Sequence, residues 1–289
     1  MTTNPTERGP IVAVPDADLA AAAVQPGGIA RLAARVVASG APVLAIGTDR
    51  FDPGHRTADR PEPTDGSVDR PTARLDPTTA ALALAAALPG HGFLVATAPT
   101  REHPYNVARR VLSLDHVLGG RVGVIVGAHD HGAPSVEPEH DAGEFARVLR
   151  GLWRTWPLDS IVGDREAGVF AHTDAIRPLD HDGGPGGYRV RGPLTTPSSP
   201  QGEPVLAVWH DVDLPEADLV LGGDVRPLLS LPIDGGAAAA ARGRTGVAPG
   251  SGPGPDADHG SRARVTLRAL LGLEEPAVRP APAASAVSA

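Results

Sequence analysis

The chain has 289 residues, a net charge of −8, eleven histidines and no cysteine, and all 26 of its basic residues are arginine. The missing cysteine excludes disulfides, thiolate metal sites and a cysteine nucleophile, while the acidic balance, with no arginine run to offset it, argues against a nucleic-acid binder. No apolar run approaches a membrane span and the start, MTTNPTERGP, lacks the basic-then-apolar order of a secretion signal, so a cytoplasmic protein without membrane contact is expected.

Aromatic residues make up 3% of the chain, so the core has to be built from Val, Leu, Ile and Ala. Residues 1–10 are expected to be disordered. "PGGIARLAARVVASG" places Ile29, Leu32, Ala33, Val36 and Val37 on one helical face and closes at Gly40. "APVLAIGT" is a short continuous apolar run, which suits a strand covered on both faces. Residues 50–75 are charged and rich in proline and stand outside this pattern.

"DPTTAALALAAALPG" opens on Asp76 as N-cap with Pro77 at the first helical position, where a missing N–H costs nothing. "GFLVATA" is the next buried strand. "REHPYNVARRVLSLDHVLGGRVGVIVGAHDH" repeats the unit. Its helix runs through Val107, Val111, Leu114 and Leu118, Gly119-Gly120 supplies a left-handed stop, and a strand delivers His129-Asp130-His131. "EFARVLRGLWRTW" is again amphipathic. "HDGGPGGYRVRGPL" suggests a short hairpin with Tyr188 and Val190 on one face. "PVLAVW" and "ADLVLGG" are further strands and "RPLLSLPI" a weaker one.

Strand–helix alternation of this kind needs right-handed crossovers and a mostly parallel sheet, either open or closed into a (β/α) barrel. In both cases function belongs beyond the C-terminal ends of the strands. The chain then divides into a core over 11–234, a linker of Gly/Ala/Pro composition over 235–262, and a short helix with a disordered tail over 263–289. Everything after residue 234 is expected to be dispensable for folding.

Two blocks carry a resemblance. The first is "DPTTAALALAAALPGHGFLVATAPTREHPYNVARRVLSLDHVLGGRVG". The second is "EFARVLRGLWRTW" followed by "IRPLDHDGGPGGYRVRGPLTTPSSPQGEPVLAV". Together they resemble the luciferase-like flavin-dependent monooxygenases, in the branch of nitrilotriacetate and dibenzothiophene-sulfone monooxygenases. The resemblance implies a TIM-type (β/α) barrel, reduced FMN supplied by a separate flavin reductase, O₂, and a small organic substrate. Homodimers, or a heterodimer with a full-length family member, are also implied. Thr97, Ala98 and Thr100 would line the flavin, and Thr48 or Asp49 would replace an Asp-Ser pair of the family.

The departures from the family are as informative. Where the family carries Trp-Asn, with the Asn reaching the flavin, this chain has Val124-Ile125, and an isoleucine offers no hydrogen bond. The Gly-Ser-Ser loop that opens a phosphate-binding helix is replaced by "HDVDLPEADLVL", which puts Asp211 and Asp213 where an anion would have to sit. The C-terminal strands also have no counterpart, so the barrel is expected to be incomplete and FMN binding weak or absent.

Two further functions remain open. The chain could be a non-catalytic binding or partner subunit. It could instead be a metal-dependent hydrolase whose ion is held at the barrel rim by His129, His131, His210 and Asp211, because histidines and carboxylates at strand ends can converge on a cation. His116 and His181 are read as structural, Trp153 and Trp156 as packing on the barrel, and Arg121 as the partner of a carboxylate. No Gly-x-Ser-x-Gly elbow, P-loop or dinucleotide fingerprint is present.

Overall fold

The computed structural model describes residues 11–51, 75–131, 140–222, 225–227 and 265–276. Seven strands form one sheet: β1 (Ile11–Val14), β2 (Val43–Ile46), β3 (Gly92–Thr97), β4 (Val122–Val126), β9 (Val205–Trp209), β10 (Leu219–Leu221) and β11 (Arg226–Pro227). Two ribbons lie between β4 and β9: β5 (Ile161–Asp164) with β6 (Val169–Ala171), and β7 (His181–Asp182) with β8 (Arg189–Val190). The helices are α1 (Asp16–Val24), α2 (Gly28–Ser39), α3 (Pro77–Ala85), α4 (Pro104–Val117), α5 (Ala142–Trp153) and α6 (Leu267–Leu270).

The sheet runs β10-β9-β4-β3-β2-β1-β11, and every pairing in it is parallel. Strands that follow one another in the chain are therefore neighbours, except that β11 returns to pair with β1. Leu221 on one edge and Arg226 on the other are five positions apart in the chain, so the two edges lie within roughly 18 Å of each other. The sheet is a (β/α) barrel left incomplete, with no ladder between β10 and β11 among the described residues.

The alternation along each strand separates two cores. Leu44, Ile46, Phe93, Val95, Val124, Leu206 and Val208 face outward into the layer under the helices. Val43, Ala45, Leu94, Ala96, Ile125, Val205, Ala207, Leu219 and Leu221 face inward and fill the barrel. Burial on both faces is why these strands read as unbroken apolar runs. Val37, expected on the buried face of α2, is exposed instead.

Local signals hold where they have a mechanism. Asp76 Oδ1 accepts the Thr79 N–H at 3.0 Å and so caps α3, with Pro77 at its first position. Gly119 and Gly120 both take positive φ after α4. Between β9 and β10 the chain makes turns and no helix, and the outward side chain of β10, Val220, is exposed.

The N-terminal end of the barrel is closed from below. Leu267 and Leu271 are buried in the inner core, and a Cβ on Gly92 would come within 2.5 Å of Leu267 Cδ1. Arg268 donates to the Glu203 carbonyl at 3.0 Å and to Asp218 at 3.0 Å. Asp218 also receives Arg150 at 2.9 Å, and Arg150 and Arg154 both pair with Glu203. Residues 265–276 thus pack on the base of the barrel, which argues against sparing all of the chain after 234.

Candidate active site at the barrel mouth

The C-terminal ends of β1, β2, β3, β4 and β9 open on one rim. Its best-organised feature is ionic. Asp16, just past β1, is clamped by Arg50 in a two-pronged bridge (Nε–Oδ2 2.7 Å, Nη2–Oδ1 2.9 Å), both side chains being more than nine-tenths buried. Arg50 also donates to the Leu75 carbonyl at 2.7 Å and lies 4.0 Å from Asp130. Burial works against the Arg50 charge, but Asp16, Asp130 and Asp49 outweigh it and hold the guanidinium above its ordinary value. Asp130 is reached from the other side by Arg101 at 3.2 Å.

The residues expected around a flavin are drawn into this frame. Thr48 is buried in a 3-10 turn over Thr48–Arg50 that follows β2 directly. Asp49 Oδ2 accepts the Asp16 N–H at 3.2 Å. Thr97 ends β3, Ala98 joins the inner core, and Thr100 Oγ1 lies 3.5 Å from the Asp130 nitrogen. Ile125 is fully buried inside the barrel.

Phe51 spans this mouth. It leaves the end of β2, yet its ring lies on Gly127 beyond β4, where an added Cβ would stand 2.4 Å from Phe51 Cδ1. Its centroid is 5.6 Å from that of Trp209 at the end of β9.

His129 and His210 leave adjacent parallel strands and so share the rim. His129 stacks on His131 at 5.9 Å, whereas His210 packs against Trp209 and Gly222, and Asp211 is exposed. Among the described residues, no group of three or more His, Asp or Glu side chains is placed to hold a metal. Asp130, between the two histidines in sequence, is bound to arginines.

The other motif residues lie away from the mouth. His116 Nε2 is 2.9 Å from the Pro197 carbonyl, and His181 Nε2 is 2.7 Å from Glu144 Oε1. Arg121 donates to the carbonyls of Leu118 and His91, not to a carboxylate as expected. Trp153 is fully buried, with its Nε1 donating to the Ala108 carbonyl. Trp156 lies beyond the end of α5 and bonds Ser160. Sequence reasoning missed Asp16, Arg50 and Phe51, whose side-chain partners, Asp130, Gly127 and Trp209 among them, lie far along the chain and leave no local spacing to detect.

No family model matches the chain. One of the component chains of the pristinamycin IIA synthase of Streptomyces pristinaespiralis is 38% identical over 148 residues, which is 51% of this chain and 51% of that protein. Dibenzothiophene-sulfone monooxygenase of Rhodococcus erythropolis is 37% identical over 143 residues, 46% of this chain and 31% of that one. Over this stretch the chain is a homologue of the luciferase-like flavin-dependent monooxygenases. It spans about half the length, or less, of these relatives. The crystal structure of long-chain alkane monooxygenase shares the fold, with a TM-score of 0.53 at 21% identity, covering 77% of this chain and 57% of that one.

FMN, which the flavin-dependent relatives imply, is poorly matched by the described residues at this rim. Ile125 offers no polar atom to a ring edge. In the described connection between β9 and β10 no helix N-terminus is available for a phosphate, and the turn there exposes Asp211 and Asp213, which repel an anion.

Proposed function

We propose that the chain serves flavin-dependent monooxygenation of a small organic molecule, with reduced FMN made by a separate reductase, and that its own barrel holds FMN weakly. The observation that carries this is the homology, together with a rim at the ends of β3, β4 and β9 where Ile125 offers no polar atom and the β9–β10 turn presents Asp211 and Asp213. Each charge-assisted hydrogen bond lost from a phosphate site removes roughly 1.5–3 kcal/mol.

The expected affinity for FMN is therefore at least about tenfold below that of a full-length relative, equivalent to about 1.4 kcal/mol. The protein should purify colourless, and FMN fluorescence should be scarcely quenched at micromolar protein. A yellow preparation with stoichiometric FMN would refute this.

A second reading makes the chain the non-flavin subunit of a two-chain enzyme. The relative from Streptomyces pristinaespiralis is itself named as one subunit of a synthase, and its matched 148 residues make up the same 51% share of both proteins. Sedimentation of the chain alone, and mixed with a full-length flavin-binding homologue from the same organism, tests it. A stable mixed dimer favours this reading, and two independent boundaries remove it.

A further inference from the structure

We propose that Phe51 is the resident occupant of the ring position at the barrel mouth, and that this side chain excludes a flavin ring before any tail contact matters. The proposal rests on the weak-FMN reading above and gives it a steric cause.

The geometry is that of a chord across the barrel. β3 separates β2 from β4, and β4 separates β3 from β9. A side chain that starts after β2, seats on Gly127 after β4 and stands 5.6 Å from Trp209 of β9 passes over the strand between. It lies in the inner core with Ala98, Ile125 and Ala207, the first two at positions assigned to the flavin's surroundings, and is 4% exposed.

The backbone leading to the ring is fastened. The Phe51 N–H donates to the Thr48 carbonyl at 3.1 Å, and the Arg50 carbonyl accepts the His131 N–H at 2.8 Å. The Arg50 side chain is locked on Asp16 and the Leu75 carbonyl. Those bonds hold the backbone on the N-terminal side of the ring. Gly127 completes the seat, because any larger residue would meet the ring. A six-membered ring on a glycine backbone beside an indole matches the apolar surroundings a flat aromatic ligand would need, and here the chain supplies that ring itself.

The test uses lumiflavin, which has the ring system and no phosphate tail, so the missing phosphate loop does not enter. Lumiflavin and FMN are titrated by fluorescence into the full chain and its Phe51→Ala and Phe51→Leu variants, with folding checked by far-UV circular dichroism. The expected result is weak lumiflavin binding to the parent chain, and binding to Phe51→Ala about tenfold tighter or more. FMN should gain no more than lumiflavin does.

A folded Phe51→Ala that binds lumiflavin no better than the parent would overturn the plug and leave the weak-FMN reading standing. If Phe51→Ala fails to fold, Phe51→Leu decides: a partial gain supports the plug, and no gain overturns it. Stoichiometric FMN on the parent chain overturns both.

Discussion

Asp115 in α4 is fully buried and accepts hydrogen bonds from the Val122 N–H at 2.8 Å, from Gln201 Nε2 at 3.1 Å and from Ser199. Burial pushes its carboxyl up to about 6, against the pull of those three donors. Its folded pKa therefore exceeds its unfolded one, so the native state holds this proton more tightly. The stabilisation is full below about pH 4 and is lost as pH rises through about 6, amounting to roughly 3 kcal/mol at most. The stability difference between the parent and Asp115→Asn, measured by urea unfolding from about pH 4 to pH 7, should shrink as pH rises; a flat difference would mean that Asp115 does not titrate there. A second residue-scale test concerns Gly127. A methyl there overpacks against Phe51, so Gly127→Ala should cost about 1–3 kcal/mol alone and clearly less in the Phe51→Ala background. Additive costs would show that the two residues do not touch. Neither site can be seen in sequence: the "SLDH" string draws attention to His116, while the partners that define Asp115 lie 84 and 86 positions away.

Among the elements, the β7–β8 ribbon is tied to α5 through the Glu144 carboxylate and the Phe145 ring. Glu144 Oε1 takes both His181 Nε2 at 2.7 Å and the Tyr188 N–H at 3.0 Å, and Tyr188 stacks on His140 at 4.1 Å. Glu144→Ala should loosen the ribbon while the barrel melts nearly as before, so limited proteolysis should cut within 182–187 and leave the rest intact. Unchanged resistance there would mean that the Tyr188 ring contacts and the His140 bond to the Gly186 carbonyl suffice to hold the ribbon. The ribbon itself was legible through Tyr188 and Val190, both buried, and α2 to α5 were legible through caps, proline positions and 3.6-residue periodicity. β1 and α1 were not. β1 is four residues bracketed by Pro10 and Pro15, and α1 is mostly alanine with only Leu19 and Ala22 as buried apolar anchors, so neither carries a period long enough to count. The β5–β6 ribbon escaped for the opposite reason: Val162, Val169 and Phe170 are exposed, so no core alternation marks it.

For the whole molecule, the barrel shows no ladder across its seam among the described residues and is sealed at its base. The base depends on residues far along the chain: Leu267 and Leu271 as apolar plug, and Arg268 as a buried cation between the Glu203 carbonyl and Asp218. Removing residues 265–289 should therefore destabilise the barrel, visible as a lower melting temperature or loss of the cooperative transition. Arg268→Ala in the full chain should cost about 3 kcal/mol, the low end for breaking a buried pair, because Arg150 still holds Asp218. An unchanged melting temperature after truncation would show that the plug only decorates a core complete without it. The same wide separation bears on how the chain reaches this state. β1 and β11 meet through Val12 and Arg226, 214 positions apart. Contacts of that span pay the loop-closure entropy before any reward arrives, so folding of this sheet is set by topology to be slow. On a ribosome the first strand must wait for the last to be synthesised, its outer backbone edge open to any other strand meanwhile.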